Sequence, residues 1–240
     1  MKPSEEASLW ESLSQSRRKP LDPFWLGEIY SPSLSIDLRL AVCEKLGMLA
    51  ELGWPHIKKL IDQHGPRQEL ILSAGLCHQP NARDWLLSQL KSKDETIVLT
   101  ALEALGCWGA DVPLSIVEES LVHPSQKRRL AGIQMLTFRA HLLSDSQLLQ
   151  LCEEPLADFR DAVAIAAVRL LQRRDGSIIS ERLTAISLHG SDALAKAALL
   201  ALGCIATPTS QKCLLELSKS LPEGERRQQA LKQLGQQFRN

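Results

Sequence analysis

Apolar and polar positions along this chain follow one nine-residue motif that recurs about every 31 residues. Its first position is Arg or a small apolar residue, its fourth, fifth and eighth positions are mostly apolar, and its ninth is often Gly, as in 98–106 and 195–203. The copies end at positions 47, 75, 106, 137, 171, 203 and 235, with separations of 28, 31, 31, 34, 32 and 32 residues. A fixed period of this length predicts an array of similar units.

The spacing inside the motif is that of an amphipathic helix, because residues three, four and seven apart share one helix face. The position before each closing residue is apolar in every copy: Leu46, Ala74, Leu105, Leu136, Leu170, Leu202 and Leu234. We call these segments B helices. Their closing glycines are typical of a helix C-terminus, where glycine adopts a left-handed conformation without steric cost.

Shorter amphipathic segments, the A helices, lie between the B helices and are separated from them by turns rich in Pro, Ser, Asp and Gly. They are Trp54–Gln63, Ala82–Leu90, Val112–Val122, Ser144–Glu153, Ile178–Leu188 and Gln211–Leu217. No segment shows the period of two that is typical of strands. A pair of about 31 residues cannot bury its own apolar face, so the pairs must stack.

The sequence therefore predicts an all-α fold, a right-handed α-solenoid (a superhelix) of about seven helical hairpins with the B helices on its concave side. We expect this repeat domain to span residues 21–240. Residues 1–20 form a separate N-terminal segment, in which Leu9, Trp10 and Leu13 are spaced as in a short capping helix. The segment Arg17–Pro20 is expected to end that helix.

The motif resembles HEAT-like repeats over roughly residues 21–238, with Asp37-x-Arg39 and Glu225-x-Arg227 opening B helices that end in Leu-Gly. The resemblance implies that the acidic residue caps the helix and that the Arg joins a ladder of bonds between repeats. The equivalent residues in this chain are Arg39, Arg67, Val98, Arg129, Val163, Ala195 and Arg227. The ladder is therefore expected to be interrupted.

Composition narrows the function classes. The chain has 28 Lys+Arg and 28 Asp+Glu, a formal net charge of zero, and 4 % aromatic residues. This balance argues against nucleic acid and anionic membranes as partners, since both are bound through a positive field. No apolar stretch approaches the length of a membrane span, and the acidic N-terminus is unlike a secretory signal. Six scattered cysteines without a CxxC pair favour a reducing, cytoplasmic environment.

The fifth and sixth B helices are apolar on nearly all sides, and this predicts that they are covered on both sides. An apolar groove on the concave face would explain the pattern, receiving a partner helix or a flat ligand. The groove is expected to contain Ile165, Val168 and Leu200 and to continue through Met135 and Ala131. Close packing between neighbouring helices, a small error in the register assigned to these copies, and burial in a homodimer are the alternatives.

Other reactive side chains favour structural roles. Cys77-His78 lacks the spaced partners of a metal site and a base for a nucleophile, so we expect a structural turn there. Cys107 and Cys204 occupy equivalent places after Gly106 and Gly203, which predicts packing. We expect neither a metal site nor a catalytic residue, and the short basic clusters, such as Arg17–Lys19, are expected to form solvated surface.

Two enzyme classes of HEAT-like fold are disfavoured by the residues. The di-iron hydroxylases of this fold carry repeated His-Glu dipeptides, and none of the six histidines here is followed by Glu. The HEAT-like alkylpurine DNA glycosylases hold DNA on a basic, aromatic-lined surface, which zero net charge and an apolar groove do not favour.

The chain also looks like the E/F-type phycobilin lyases, HEAT-like proteins of comparable length that attach linear tetrapyrroles to phycobiliprotein cysteines or act on those proteins in a chaperone-like way. The resemblance implies a bilin as substrate rather than a permanently bound cofactor. A carboxylate from Glu44, Glu69 or Glu103 would pair with the pyrrole N–H groups, and Arg128 or Arg169 would hold the propionates. Ile165, Val168 and Leu200 would contact the apolar face of the bilin.

The sequence thus predicts a soluble HEAT-like binding protein, with phycobilin lyase or phycobiliprotein chaperone as its most specific function. The alternative is a non-enzymatic scaffold or assembly factor that binds a helix of another protein. In both cases the expected partner is a protein, such as a phycobiliprotein subunit, and a dimer is a further possibility.

Overall fold

The computed structural model describes residues 3–14 and 21–237, with side chains described from residue 6 onward. In these ranges it contains fifteen α-helices and no strand. Helix α1 spans Pro3–Ser14. The A helices are α2 (Pro23–Ile29), α4 (Trp54–His64), α6 (Pro80–Gln89), α8 (Leu114–Val122), α10 (Asp145–Leu156), α12 (Ser177–His189) and α14 (Pro208–Ser220). The B helices are α3 (Ile36–Met48), α5 (Gln68–Leu76), α7 (Glu95–Leu105), α9 (Gln126–Arg139), α11 (Asp161–Leu171), α13 (Asp192–Ile205) and α15 (Glu225–Gln237).

The all-α class and the seven helical hairpins predicted from the sequence are confirmed. Five predicted B segments lie within one helix, and the segments 67–75 and 98–106 extend one residue beyond α5 and α7. Each predicted A segment overlaps one A helix. Helix α1 contains Leu9, Trp10 and Leu13, and Leu13 is buried. The predicted break at Arg17–Pro20 lies outside the described residues.

Local sequence signals start several helices. The side chain of Asp22 accepts a hydrogen bond from the Phe24 amide at the start of α2, and Asp94 accepts one from the Thr96 amide at the start of α7. Ser144 with Gln147, and Thr207 with Ser210, form reciprocal capping boxes at α10 and α14. Such caps satisfy amides that have no partner inside the helix.

The chain forms two compact units, Met1–Asp111 and Val112–Asn240. In unit 1, α1 packs on α3, and the B helices α3, α5 and α7 pack in series. In unit 2, the B helices α9, α11, α13 and α15 pack in series, and the A helices α8, α10, α12 and α14 form a second series. Each unit is therefore a two-layer stack of hairpins with its core between the layers, as repeat architecture requires.

The predicted apolar positions of the B helices form these cores. Leu46, Ala74, Leu105, Leu136 and Leu202 are completely inaccessible to solvent. The residues three positions before them, including Cys43, Ile71 and Leu102, are buried too. The A helices contribute residues such as Ile57, Leu86, Leu148 and Leu183 from the other layer.

The expectation that the closing glycines adopt a left-handed conformation is wrong. Gly47 and Gly75 lie within their helices, and the non-glycine residues with positive φ angles are Ala50, His78 and Ala206, three residues beyond a closing glycine. A Cβ on Gly75 would lie 2.7 Å from the Ala104 carbonyl oxygen, and one on Gly47 would lie 2.7 Å from Leu76 Cβ. The glycines are required because adjacent B helices approach closely there.

The arginine ladder between repeats is present but interrupted. Arg39 lies 3.5 Å from Glu69 on the next B helix, and Arg129 lies 3.1 Å from Asp158 before the next B helix. Arginines outside the predicted positions also connect hairpins: Arg174 binds Asp145, and Arg226 binds Asp192. The N-cap of α3 is Ser35, so Asp37 lies in the first turn and is not the cap.

Candidate functional site

The fifth B helix corrects the predicted register of the repeats. In α11 Val168 is fully buried and Arg169 is exposed, whereas in α13 Leu199 is fully buried and Leu200 is exposed. The two helices therefore align when the fifth copy closes at Gln172 rather than at Leu171. Closing at Gln172 makes the fifth repeat one residue longer. The extra residue lies before α11, in the region where α10 includes Pro155 and the turn 157–160 follows. After Asp161 in its first turn, α11 has a single polar residue, Arg169, and the apolar residues around it fit the repeat in either of two registers one residue apart.

With this register, the residue three positions before the closing residue is exposed on every B helix except α5, where Leu72 is half-buried. In unit 2 this position is Gln134 on α9, Arg169 on α11, Leu200 on α13 and Lys232 on α15, and all four side chains are exposed. We call the last three of these, Arg169, Leu200 and Lys232, the basic row. Because α11, α13 and α15 pack in series, the row crosses three helices in steps of about 8–10 Å.

The cations of the basic row have no partner within the described part of the chain. Neither Arg169 nor Lys232 forms an ion pair or a side-chain hydrogen bond, and the same holds for Arg173, one turn beyond Arg169. By contrast, Arg160 is bound by Asp158 at 2.7 Å and Arg226 by Asp192 at 2.7 Å. Unpaired guanidinium groups are free to bind a carboxylate in the bidentate geometry that such groups favour.

A groove of about 300 Å³ lies between α9 and α11, and the side chains of Arg169 and Arg173 form part of its walls. Its walls combine apolar and polar side chains: Leu130, Ile133, Gln134, Thr137, Ala166, Arg169, Leu170 and Arg173. Phe138, at the end of α9, is also 43 % exposed. This part of unit 2 therefore presents positive charge beside apolar surface.

Three residues of the predicted apolar groove are buried, and this part of the prediction is wrong. Met135 and Val168 are completely inaccessible, and Ala131 is 8 % exposed. Met135 and Ala131 lie two and six positions before the closing residue, on the sides of the helix that pack against neighbouring B helices. The predicted alternative of helix packing accounts for these side chains. Ile165 is half-buried and Leu200 is exposed, so these two remain at the surface.

The predicted acidic residues all lie in unit 1, in two different environments. Glu44 on α3 and Glu103 on α7 are exposed, and Leu72 occupies the equivalent position on α5. We call Glu44, Leu72 and Glu103 the acidic row. Neither carboxylate forms an ion pair in the described residues.

Glu69, by contrast, is a structural residue with 4 % of its surface exposed. Its carboxylate accepts a hydrogen bond from the Tyr30 hydroxyl at 2.9 Å and lies 3.5 Å from the Arg39 guanidinium. Burial, together with the bond to Glu69, raises the pKa of Tyr30 above its usual value. Glu69 is therefore closed to the bilin that the sequence assigned to it. The other predicted anion-binding residue, Arg128, is half-buried in the first turn of α9.

The Cys77-His78 pair is confirmed as a structural turn. His78 has a φ of 48° and stacks on Trp108 with 4.8 Å between ring centroids, and the Trp108 indole donates a hydrogen bond to the Gly75 carbonyl. Cys77 is fully buried, and burial raises the pKa of its thiol to about 12. A thiol in that state does not act as a nucleophile at neutral pH.

Cys107 and Cys204 were predicted to pack in the core, but both are exposed. Cys107 follows Gly106 and lies one turn beyond Glu103 of the acidic row. Cys204 follows Gly203 and lies one turn beyond Leu200 of the basic row. Cys43, Cys77, Cys152 and Cys213 are buried, as expected for small core residues.

Several exposed residues were missed from the sequence. Lys232, Arg173 and Phe138 had no predicted binding role. Phe159, in the turn before α11, is 90 % exposed, and the Arg160 guanidinium lies 5.0 Å from its ring centroid. The correct register of α11 would have aligned Arg169, Leu200 and Lys232 from sequence alone.

In the part of the chain that the structure describes, no three His, Cys, Asp or Glu side chains cluster as metal ligands would. No helix in that part has the length and apolar character needed to cross a bilayer.

Comparison with known proteins assigns neither a family nor a function to this chain. No protein-family model matches the sequence, and no curated protein matches it. One solved structure with a similar arrangement is human deoxyhypusine hydroxylase in complex with glycerol, which is 15 % identical over 98 % of this chain and 100 % of that chain, with a TM-score of 0.41. At this level of similarity the comparison assigns neither a function nor site residues.

Proposed function

We propose that this chain is a non-enzymatic interaction scaffold whose basic row binds an acidic, partly apolar helix of another protein. The observation that carries the proposal is the set of exposed cations, Arg169, Arg173 and Lys232, that have no carboxylate partner in the described chain. They flank Leu200, which is 40 % exposed. Carboxylates on a partner would pair with the cations while its apolar residues cover the leucine.

The spacing of the row suits a helix laid across α11, α13 and α15. Arg169 and Lys232 are two helix steps apart, about 16–20 Å. A partner helix rises about 1.5 Å per residue, so two acidic residues about 11–13 positions apart would reach both cations. A leucine midway between them would face Leu200.

A synthetic peptide tests this proposal. We would use an amphipathic helix of about 20 residues with two glutamates about 11 positions apart and leucines between them on the same face. Binding of the labelled peptide, followed by fluorescence anisotropy, is expected for the wild-type protein. A peptide with lysine in place of each glutamate is the matched control and should bind at least about tenfold more weakly.

Charge-reversal variants of the protein are tested for binding of the same peptide. Arg169→Glu with Lys232→Glu should weaken binding of the glutamate peptide at least about tenfold. Lys212→Glu with Lys219→Glu changes the charge equally at exposed positions of the A helix α14 and should leave binding unchanged. Equal binding of both peptides, or no effect of the row variant, would contradict the proposal.

Bilin attachment is the second candidate, favoured by one observation. Arg169 and Arg173 line the groove of about 300 Å³ beside Leu130 and Ala166, and propionate groups with an adjacent apolar ring system would suit those walls. The groove walls contain no carboxylate for the pyrrole N–H groups. A shifted, sharpened visible absorption of a linear tetrapyrrole on mixing, lost in Arg169→Glu with Arg173→Glu, would support this function, and an unchanged spectrum would exclude it.

A further inference from the structure

The acidic row, with half-buried Leu72 between exposed Glu44 and Glu103, and the exposed basic row have matching patterns of opposite charge. In unit 1 the same register position carries Glu44, Leu72 and Glu103 on α3, α5 and α7. In unit 2 it carries the uncharged Gln134 on α9, followed by Arg169, Leu200 and Lys232 on α11, α13 and α15. Each row thus places a leucine between two charges of one sign, on three helices that pack in series within their unit.

The charge distribution of the whole sequence follows the same division. Residues 1–111 contain 12 Lys+Arg and 15 Asp+Glu, and residues 112–240 contain 16 Lys+Arg and 13 Asp+Glu. The zero net charge of the chain therefore conceals an acidic unit and a basic unit. Such an asymmetry favours association between unlike units of different molecules.

Apolar surface beside the acidic row strengthens the match. Met48 and Leu76, one turn beyond Glu44 and Leu72, are 65 % and 44 % exposed. The carboxylates of Glu44 and Glu103 have no ion-pair partner in the described residues, as is true of the cations in the basic row. A contact between the rows would satisfy all four charges and cover both leucines.

We propose that the acidic row of one copy of this chain binds the basic row of a second copy. The inference rests on the proposed function, in which the basic row binds the carboxylates and apolar side chains of a helical partner, and it names a second copy of this chain as that partner. Glu44 and Glu103, two helix steps apart, face Arg169 and Lys232, which have the same separation. Leu72 meets Leu200 between the two ion pairs. The contact is heterologous, since unlike patches of two identical molecules meet.

The test uses charge reversal of each row in the full-length protein. Glu44→Lys with Glu103→Lys makes the row of unit 1 basic, and Arg169→Glu with Lys232→Glu makes the row of unit 2 acidic. Sedimentation velocity on the wild type from about 1 to 100 µM should show concentration-dependent association. Each variant alone should associate at least about tenfold more weakly, because it presents like charges at the contact.

Mixing the two variants is the decisive step. In the mixture, the unchanged basic row of Glu44→Lys with Glu103→Lys faces the unchanged acidic row of Arg169→Glu with Lys232→Glu. Association should therefore return to within about threefold of the wild type. Glu118→Lys with Glu119→Lys, at exposed positions of the A helix α8, is the matched control and should associate as the wild type does. Circular dichroism checks that every variant remains helical.

The outcomes separate this inference from the proposed function. A wild type that stays monomeric at 100 µM, or variants whose mixture does not associate, would overturn self-association through the rows. If the glutamate peptide still bound with dependence on Arg169 and Lys232, the proposed function would stand without this inference. If the peptide did not bind either, both would fail.

Discussion

The hydroxyl of Tyr30 donates a 2.9 Å hydrogen bond to the carboxylate of Glu69, which lies 39 residues further along the chain in the next hairpin. Both residues are buried, and Arg39 completes the cluster from the helix between them. The single tyrosine of the sequence therefore joins the first hairpin to the second.

Tyr30→Phe removes this hydrogen bond while keeping the aromatic ring. Because the buried carboxylate of Glu69 loses its hydroxyl partner, the free energy of unfolding should fall by about 1–2 kcal/mol. Urea denaturation followed by circular dichroism measures the change. Ser33→Ala, at an exposed position of the neighbouring turn, should change stability much less. Equal effects of the two substitutions would show that the bond adds nothing to stability.

Gly75→Ala tests the close approach of α5 and α7. The added Cβ would lie 2.7 Å from the Ala104 carbonyl oxygen and 2.9 Å from Ala104 Cβ. Relieving these contacts should cost about 1–3 kcal/mol. Gly235→Ala is the matched control, since nothing lies within 4 Å of its Cβ position in α15, and it should stabilise the helix by up to about 1 kcal/mol. The account of the closing glycines would be wrong if Gly75→Ala were neutral in thermal and urea denaturation.

The carboxylate of Asp158 stabilises the folded protein, and this contribution depends on pH. Its carboxylate accepts hydrogen bonds from the side chain and amide of Arg160 and lies 3.1 Å from Arg129. The hydrogen bonds from the Arg160 side chain hold the pKa of Asp158 below its ordinary value. Asp158→Asn should therefore cost about 2 kcal/mol at pH 7.

The sign of the pH effect follows from the lowered pKa. Stabilisation by an acid whose folded pKa is lowered is complete above its ordinary pKa of about 4 and is lost as the pH falls through the lower folded value. The stability difference between wild type and Asp158→Asn should thus be constant from pH 7 to about 5 and shrink below about 4. Asp175→Asn, at an exposed aspartate, should show no such difference. A difference that grew as the pH fell would contradict the assignment.

The cysteines should divide into two classes of reactivity. Cys107 and Cys204 are exposed, whereas the other four are buried. Burial raises the pKa of Cys152, as of Cys77, to about 12. An aromatic disulfide reagent should modify two thiols rapidly in the native protein and the remaining four only after denaturation. Rapid modification of all six, or of none, would contradict the described burial.

Hydrophobic periodicity was sufficient to predict the seven hairpins, because the stacked layers bury the same helix positions in every repeat. It was insufficient for the surface. The sequence did not predict that Val168 is buried and Arg169 exposed. Because α11 is apolar on most sides, the repeat motif can be placed on it in two registers that differ by one residue. The roles of Glu69 and Gly75 also depend on contacts with Tyr30 and Ala104 in neighbouring hairpins. Sequence spacing alone does not specify such contacts.

The most direct test of the central claim, that the basic row binds acidic, apolar helical surfaces, uses the thiols beside the rows. Cys204 lies one turn beyond Leu200 of the basic row, and Cys107 lies one turn beyond Glu103 of the acidic row. The protein is kept at about 1 µM and saturated with the glutamate peptide, and the modification rate of each thiol is measured by mass spectrometry. We predict that the rate at Cys204 falls at least about fivefold while the rate at Cys107 does not fall, because a bound helix covers only the basic row. Binding of the peptide with an unchanged rate at Cys204 would contradict the claim.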